Sequence, residues 1–350
     1  MFYIHQSTCI SPQESFDQVN LATLHLPTDN KLLVIEPGYE NIPPGMLRRM
    51  GKAVRIGIGA GMRLIKNTDS VLNGIIIGTA IGGMEDCIKF LNQIVDYEEG
   101  QLTPGNFVQA TPNAIAAQIG LLSKNKSYNI THVHRGLSFE NAMLDVDMLL
   151  SEHPDHQYLL GGVDEISLYN YNIDRLAGWY KNVDINGKDI YQLNTAGSIA
   201  GEGATMFIVN KQKENSTAVV RAIGTLHTTT VEEVQRQLQK FLDKHLLPGE
   251  KIDLFLSGEN GDNRDLPFYN ACESLLDAGT SVARFKHMCG EFATASAVAC
   301  WISTQIFKTQ SIPSHMMKKA AEVQQYRRVL IYNNHKHIQH SFLLLTLPQQ

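Results

Sequence analysis

Residues 128–142, YNITHVHRGLSFENA, constrain the fold of this chain more than any other segment. A β-prone run at residues 128–133 leads directly into a segment whose apolar residues recur with the period of a helix. These apolar residues are Phe139, Ala142, Met143, Val146, Leu149 and Leu150. The turn between strand and helix contains His132, His134, Arg135 and Gly136. Because the first backbone N–H groups of a helix are free, such an elbow suits an anionic ligand or a nucleophile. The segment predicts an α/β fold with a histidine-containing site at the elbow.

Strand-like and helix-like segments alternate along the rest of the chain. Before a polar stretch at residues 211–216, the other predicted strands are residues 2–11, 31–36, 72–78, 157–160 and the end of 197–210. After that stretch, the predicted strands are residues 217–226, 252–257, 329–333 and 342–346. Helix-like segments separate the strands in both parts, so a similar order occurs twice. This repeat predicts an internally duplicated α/β fold, with an N-terminal half at residues 1–212 and a C-terminal half at 213–350.

Two segments differ from their neighbours in composition. Residues 292–307 are apolar on every side of a predicted helix, which is typical of a helix buried in the core. Residues 168–195 are polar and aromatic without a clear period. We expect this second segment to cover a site.

The composition excludes several classes of function. With 30 Lys and Arg against 35 Asp and Glu, the formal charge of −5 lacks the basic footprint of a nucleic-acid-binding protein. No apolar run is long enough for a membrane helix and the first residues do not resemble a signal peptide, so we expect no membrane insertion. The 5 cysteines show no CxxC spacing, which predicts reduced thiols in a cytoplasmic protein.

Short motifs spread over nearly the whole chain support a family resemblance. They are GTAIGG (78–83), TPNAIAAQIG (111–120), LLGGVDE (159–165), GEGA (201–204), KHMCGE (286–291) and LIYNN (330–334). In these motifs and their order, the chain resembles the β-ketoacyl synthases of the thiolase fold. The resemblance implies a five-layered αβαβα fold of duplicated halves, a dimer, and no cofactor. It also implies a Cys–His–His site that condenses an acyl thioester with a malonyl carrier protein.

The catalytic residues of that family do not carry over to this chain. The family's cysteine falls on His134, its first histidine on Gly258 and its second on Glu291, whereas the lysine before the second histidine is retained as Lys286. A shift of one residue at the elbow would not restore the nucleophile, because no cysteine occurs at positions 88–271. Without the thiol and the imidazoles, no residue is evident that would hold the acyl group or promote decarboxylation.

The family's glycine-rich gating loop falls on residues 333–339, NNHKHIQ, where every glycine is lost. The resemblance therefore implies an altered pocket. The residues expected in it are His132, His134, Lys286, Glu291, Asn333, His335 and His337.

Several of these features have two interpretations. His132 and His134 are either a pocket pair or a core pair that fills the space of the missing cysteine. Cys289 is expected to be an inert buried residue rather than a nucleophile. The Arg and Lys residues of 46–63 form either a solvated helix face or a surface that receives an acidic carrier protein.

The histidines of residues 335–340 are expected to form an ordinary exposed turn. The alternative is that some of them converge with His134 and Glu291, so that His134, Glu291 and His337 become candidate ligands of a transition metal. The turn is the simpler interpretation, and we expect no metal.

Three hypotheses of function follow from the resemblance. The first is a non-catalytic, chain-length-factor-like subunit of a type II fatty-acid, polyketide or aryl-polyene-like pathway. Its partners would be an intact ketosynthase in a heterodimer, or a second copy in a homodimer, and an acyl carrier protein. The second is an enzyme that hydrolyses or decarboxylates thioesters with His134 and Glu291. The third is a homodimeric binding protein for acyl chains.

Overall fold

Strands and helices alternate through the computed structural model, as the sequence predicts. The structure describes residues 1–40, 42–68 and 70–349, without the side chains of 187 and 188. The strands are β1 (Phe2–Ile10), β2 (Lys31–Leu32), β3 (Gly74–Gly78), β4 (Tyr128–His132), β5 (Gln157–Asp164), β6 (Ala200–Gly201), β7 (Gly203–Asn210), β8 (Ala218–His227), β9 (Leu254–Ser257), β10 (Ser281–Arg284), β11 (Met317–Lys319), β12 (Arg328–His335) and β13 (Gln339–Thr346). The helices are α1 (Pro44–Leu47), α2 (Lys52–Lys66), α3 (Met84–Asp96), α4 (Pro104–Gln109), α5 (Ala114–Ser123), α6 (Ser138–Glu152), α7 (Leu168–Leu176), α8 (Val231–His245), α9 (Leu266–Glu273), α10 (Lys286–Cys289) and α11 (Ala295–Thr309). Short 3-10 helices lie at Arg135–Leu137, Gly187–Tyr191 and Ser314–Met316.

One long sheet contains two copies of the same strand order. In the first half the order is β1, β7, β5, β3 and β4, with β7 antiparallel to both neighbours and β5, β3 and β4 parallel. In the second half β8, β13, β12, β9 and β10 repeat this arrangement, and β11 follows at the edge. The antiparallel pair β1–β8 joins the copies. The duplicated halves are thereby confirmed, whereas their division between residues 212 and 213 stays a prediction.

Buried apolar side chains divide the molecule into layers. The central cluster contains residues of α6 and α11 together with one face of each half of the sheet. A second cluster packs α2 and α5 on the other face of the first half. A third packs α8 and α9 on the other face of the second half. This is the predicted αβαβα architecture.

Alternating side chains of the strands explain how both faces of each half-sheet are covered. In β3, Ile76 belongs to the central cluster, whereas Ile75 and Ile77 belong to the outer one. Successive strand residues point to opposite faces, so a continuous apolar run indicates a strand that is buried on both sides. The helix α11 lies between the two halves and is buried almost throughout, as its apolar sequence predicts.

One predicted strand is much shorter than expected. Residues 31–36 form only the two-residue strand β2, which pairs with β6. Beyond it, the backbone N–H of Val34 donates to Oε1 of Glu202 at 3.0 Å, and that of Ile35 donates to the carbonyl of Ser11. A side chain and a loop therefore take the bonds that a longer strand would have formed. In the part of the chain that is described, no helix is both long and apolar enough to cross a membrane.

Candidate functional site

A cavity of about 460 Å³ opens where strand ends from both halves meet. Its first side is formed by residues at or after the carboxyl ends of β3, β4 and β5, namely Ala80, Ile81, Arg135, Asp164 and Glu165. Its second side is formed by residues after β9 and at the end of β12, namely Asn260, Asp262, Asp265, His335 and Lys336. In α/β sheets, ligands bind in the crevice at the carboxyl ends of the strands. We call this space the central cavity, and it is the candidate site.

The elbow after β4 presents Arg135 to the central cavity, not the predicted histidines. The imidazole of His134 is exposed and its Nδ1 lies 2.9 Å from Nδ2 of Asn141. His132 turns to Asp145, with 3.0 Å between its Nε2 and Oδ2 of the carboxylate. Neither histidine lines the cavity, so the structure does not bring this predicted pair into the pocket. Arg135 lines it and adopts a left-handed backbone conformation, with φ of 52°.

Gly136 allows the elbow to pack against the second half. A Cβ at this position would overlap the Cβ and ring of His335, so only glycine leaves room for that side chain. The backbone N–H of Gly136 donates to Oε1 of Gln339 at 2.8 Å, and Nε2 of Gln339 donates to the carbonyl of His134 at 3.3 Å. The elbow is thereby held against the hairpin of β12 and β13.

A buried ion pair lies beneath the cavity wall. Nζ of Lys286 donates to Oε1 of Glu291 at 2.7 Å, and the lysine side chain has 0% exposure. Burial raises the pKa of Glu291, but the charge of Lys286 and the nearby His335 outweigh it and bring the pKa to about 2. Glu291 lines the cavity as an ionised carboxylate, whereas Lys286 lies behind it. Of these two predicted pocket residues, only Glu291 lines the cavity.

Asn260 occupies the place beside Glu291. Its Nδ2 donates to Oε2 of Glu291 at 2.8 Å and to Oδ2 of Asp265 at 3.1 Å. Gly258, the position expected to match the family's first histidine, does not line the cavity and packs against Asn333. Asn333 is itself buried outside the lining, so the structure does not bring these two positions into the pocket.

The turn between β12 and β13 is fastened to the cavity rim. Lys336 and His337 both have left-handed backbones, with φ of 53° and 62°. Nζ of Lys336 donates to Oδ1 of Asp174 at 2.6 Å, and Nδ1 of His337 contacts Oδ1 of Asp265. The expected exposed turn is therefore a half-buried one. These long-range pairs hold non-glycine residues in a conformation that costs energy.

Trp179 covers the rim between the turn and the cavity. Its ring lies 4.9 Å from the imidazole of His337, and the guanidinium of Arg264 stands 4.7 Å from its centroid. Tyr171 and Tyr180 stack beside it with 5.3 Å between centroids. Part of the segment 168–195 therefore lies over the central cavity.

The end of β5 supplies two buried carboxylates. Oδ1 of Asp164 accepts hydrogen bonds from Thr79 and from the backbone N–H groups that follow it, and Oδ2 accepts from Thr294. Oε2 of Glu165 accepts from the backbone N–H of Ala53 at 2.9 Å. Burial raises the pKa of Glu165 to about 7 despite this bond.

The candidate metal ligands do not converge. His134 points to solvent at the elbow, Glu291 is paired with Lys286, and His337 is paired with Asp265. His340 is buried elsewhere, with its Nδ1 3.0 Å from the hydroxyl of Tyr332. Across residues 1–40, 42–68 and 70–349, no group of three or more His, Cys, Asp or Glu side chains is arranged to hold a metal ion.

Known structures share this architecture, although sequence comparison detects no relative. No protein-family model matches the sequence, and no curated protein is similar to it in sequence. A β-ketoacyl synthase from Burkholderia phymatum STM815 matches over 99% of each chain with a TM-score of 0.77 and 14% identity. The chain has the fold of the β-ketoacyl synthases.

Complexes that contain ketosynthases show the same fold. The ishigamide ketosynthase/chain length factor matches over 99% of this chain and 98% of that chain, with a TM-score of 0.78 and 15% identity. In the AntDE:AntF structure, a type II PKS acyl-carrier protein is in complex with its ketosynthase bound to the hexaketide. It matches over 99% of each chain, with a TM-score of 0.73 and 12% identity.

Within this ketosynthase fold, no cysteine is among the residues that line the central cavity of the described chain. Cys289 is buried near Glu291, and burial raises the pKa of its thiol far above the usual range. A protonated, inaccessible thiol is a poor nucleophile, which agrees with its predicted inert role. Sequence reasoning missed Arg135, Asn260 and Trp179. The sequence places Arg135 in the elbow but does not indicate that it lines the pocket.

We expect that separating the buried ion pair will destabilise the protein strongly. Lys286→Met leaves Glu291 buried without its cation, and Glu291→Gln leaves Lys286 buried without its carboxylate. Each single variant should therefore lose about 3–5 kcal/mol of unfolding free energy. The double variant Lys286→Met/Glu291→Gln should lose less than the sum of the single losses, because no unpaired charge remains. Urea unfolding at pH 7 measures all the variants. Additive losses would contradict the coupling.

Glu165 should make stability depend on pH. Its pKa rises from 4.5 to about 7 on folding, so the unfolded chain ionises first as the pH increases. The folded state should therefore lose stability between these values, by on the order of 3 kcal/mol. Glu165→Gln removes this titration and serves as the reference. The unfolding free energy of the natural protein should fall relative to that of Glu165→Gln from pH 5 to pH 8. A difference that is independent of pH would refute the assignment.

Proposed function

We propose that the chain is a non-catalytic, chain-length-factor-like subunit that pairs with an intact ketosynthase. The carrying observation is the central cavity, which has a guanidinium at the elbow and an ion-paired carboxylate at the position expected for the second histidine. Ketosynthase-type acyl transfer needs a thiol there, and neither group has the sulfur atom that an acyl-enzyme thioester requires. A type II fatty-acid, polyketide or aryl-polyene-like pathway is the setting that the resemblance implies. The cytoplasm is the compartment that we expect.

The alternative of thioester hydrolysis or decarboxylation by His134 and Glu291 lacks support. The imidazole of His134 is exposed outside the central cavity, and Glu291 is bound to Lys286 and Asn260. A carboxylate with a pKa of about 2 is also a weak base near neutral pH.

An edge strand offers the surface for a partner of the same fold. β4 ends the long sheet, so one side of its backbone is unpaired in the single chain. α5 packs on β4, and α4 packs on α5. Exposed apolar side chains occur on or beside these elements, namely Phe107, Val108, Leu121, Tyr128 and Val133. A strand edge with an apolar surround is suited to a sheet that continues into a second subunit.

The basic segment 46–63, which includes most of α2, supports the proposed carrier-protein contact. Most of its cations are engaged, because Lys52 pairs with Glu202, Arg55 with Glu36 and Arg63 with Asp17. Arg48 and Arg49 are exposed, and no described residue pairs with their side chains. They line a cleft of about 870 Å³ that also includes Glu165 and Ile166 of the central cavity. An acidic carrier would meet free guanidinium groups at this cleft.

The chain alone should not elongate an acyl thioester. We expect no product longer by two carbons when the purified protein is incubated with an acyl thioester and malonyl carrier protein, measured by mass spectrometry. A catalytically intact ketosynthase in the same assay is the positive control. Turnover by the chain alone would overturn the non-catalytic assignment.

The chain should form a tight complex through the β4 face. Affinity capture from its native cells should recover a ketosynthase, and Leu121→Asp should reduce that recovery because it places a charge on an apolar interface. Leu121 is 71% exposed and Leu247 is 62% exposed, so Leu247→Asp is the matched control on another surface. Recovery of a second copy of the chain would favour the homodimer, and a monomer without any ketosynthase would contradict the proposal.

A further inference from the structure

We propose that the central cavity binds a monocarboxylate with an apolar body, held without a covalent bond by Arg135. This site belongs to the chain itself and does not require a partner subunit.

Arg135 is an exposed cation on a firmly held backbone. Its carbonyl accepts a hydrogen bond from Oγ of Ser138 at 2.8 Å, and the next residue, Gly136, is bonded to Gln339. The backbone is therefore held at both sides of the elbow. Among the described residues, none forms a hydrogen bond, ion pair or ring contact with the guanidinium, which has five N–H donors. The guanidinium of Arg135 thus offers several N–H donors for which the described residues provide no acceptor.

The carboxylates around the cavity already have partners, so they do not need Arg135. Lys286 neutralises Glu291, Lys336 neutralises Asp174 and Arg264 neutralises Asp262.

Three further carboxylates are satisfied in other ways. Glu165 accepts hydrogen bonds from the backbone N–H groups of Ala53 and Glu85. Asp265 is bonded to His337 and to Asn334. Asp164 is satisfied by backbone and hydroxyl donors. The exposed guanidinium is therefore not engaged by these carboxylates and is available to the acceptor atoms of a ligand.

A second polar group in the same wall also lacks a hydrogen-bond partner. His335 lines the cavity, and its buried Nδ1 has no hydrogen-bond partner among the described residues. Oε1 of Glu291 is 3.8 Å away, which is too far for a hydrogen bond. Buried polar atoms are nearly always bonded, so this orphan indicates that a water or a ligand atom completes the wall.

The surrounding charges favour a monoanion over a phosphate. One guanidinium binds one carboxylate through two parallel hydrogen bonds. A phosphate monoester is close to doubly charged at neutral pH. Arg135 balances only one of these two charges, and the second would stay uncompensated because Lys336 and Arg264 are already paired with carboxylates.

The rest of the lining fits an apolar body. Ile81, Ile166, Ile173, Phe292 and Trp179 contribute apolar surface to the cavity. Its volume of about 460 Å³ falls in the range of small-molecule sites. A medium-length carboxylic acid would place its head on Arg135 and its chain among these residues.

Calorimetry on the purified chain tests this assignment with octanoate as the probe. Octanoate should bind, and Arg135→Gln should weaken it about tenfold or more, as expected for the loss of a charged hydrogen-bond pair. Arg175→Gln is the matched control, because Arg175 is an exposed arginine of the covering helix α7 outside the lining. This variant should bind octanoate like the natural protein. Circular dichroism checks that each variant is folded.

Related probes distinguish the chemistry. 1-Octanol lacks the charge and should bind about tenfold or more weakly than octanoate. Octyl phosphate should also bind more weakly, because it carries the second charge. Trp179 fluorescence should change on binding and should no longer respond in Trp179→Phe. No octanoate binding, or equal binding to Arg135→Gln, would overturn the site. Tighter binding of octyl phosphate would overturn the carboxylate assignment. These outcomes do not depend on a ketosynthase partner.

Discussion

The buried pair of Lys286 and Glu291 is the interaction on which the arrangement of the central cavity depends. Glu291 is bonded through its backbone to the first half, because its N–H donates to Ile199 and its carbonyl accepts from Gly201. Its side chain reaches Asn260 in the second half. Gly290, with φ of 76°, lets the two backbones approach closely at Gly201. Glu291 must stay paired with Lys286 because it is buried, and its other bonds join the two halves at the cavity wall.

Much of the architecture could be predicted because it depends on local periodicity. The continuous apolar run of β3 predicts a strand that is buried on both faces, and the apolar residues on every side of α11 predict a buried helix. It was harder to predict which side chain of the elbow faces the cavity. Neighbouring residues in a turn point in different directions, so the sequence does not show whether His134 or Arg135 faces the cavity. Arg135 has a left-handed backbone with φ of 52°, a conformation that no residue type at the elbow predicts.

The turn after β12 shows a second limit of prediction. A sequence rich in polar residues and without glycine indicates an exposed loop, yet the structure holds Lys336 and His337 against partners 162 and 72 residues away. Such pairs have no local signature. Their carboxylates, Asp174 and Asp265, come from a covering segment without period and from a loop after β9. The same long-range origin explains why Trp179 and Asn260 were missed.

The pairing of β1 has a consequence for synthesis on the ribosome. This early strand bonds to β7, which ends at Asn210, and to β8, which begins at Ala218. Roughly two hundred residues must therefore leave the exit tunnel before β1 has any neighbour, which takes on the order of ten seconds or more at ordinary rates of synthesis. During that time both edges of β1 remain unpaired in the nascent chain. We expect translation speed and chaperones that bind nascent chains to control the yield of folded protein.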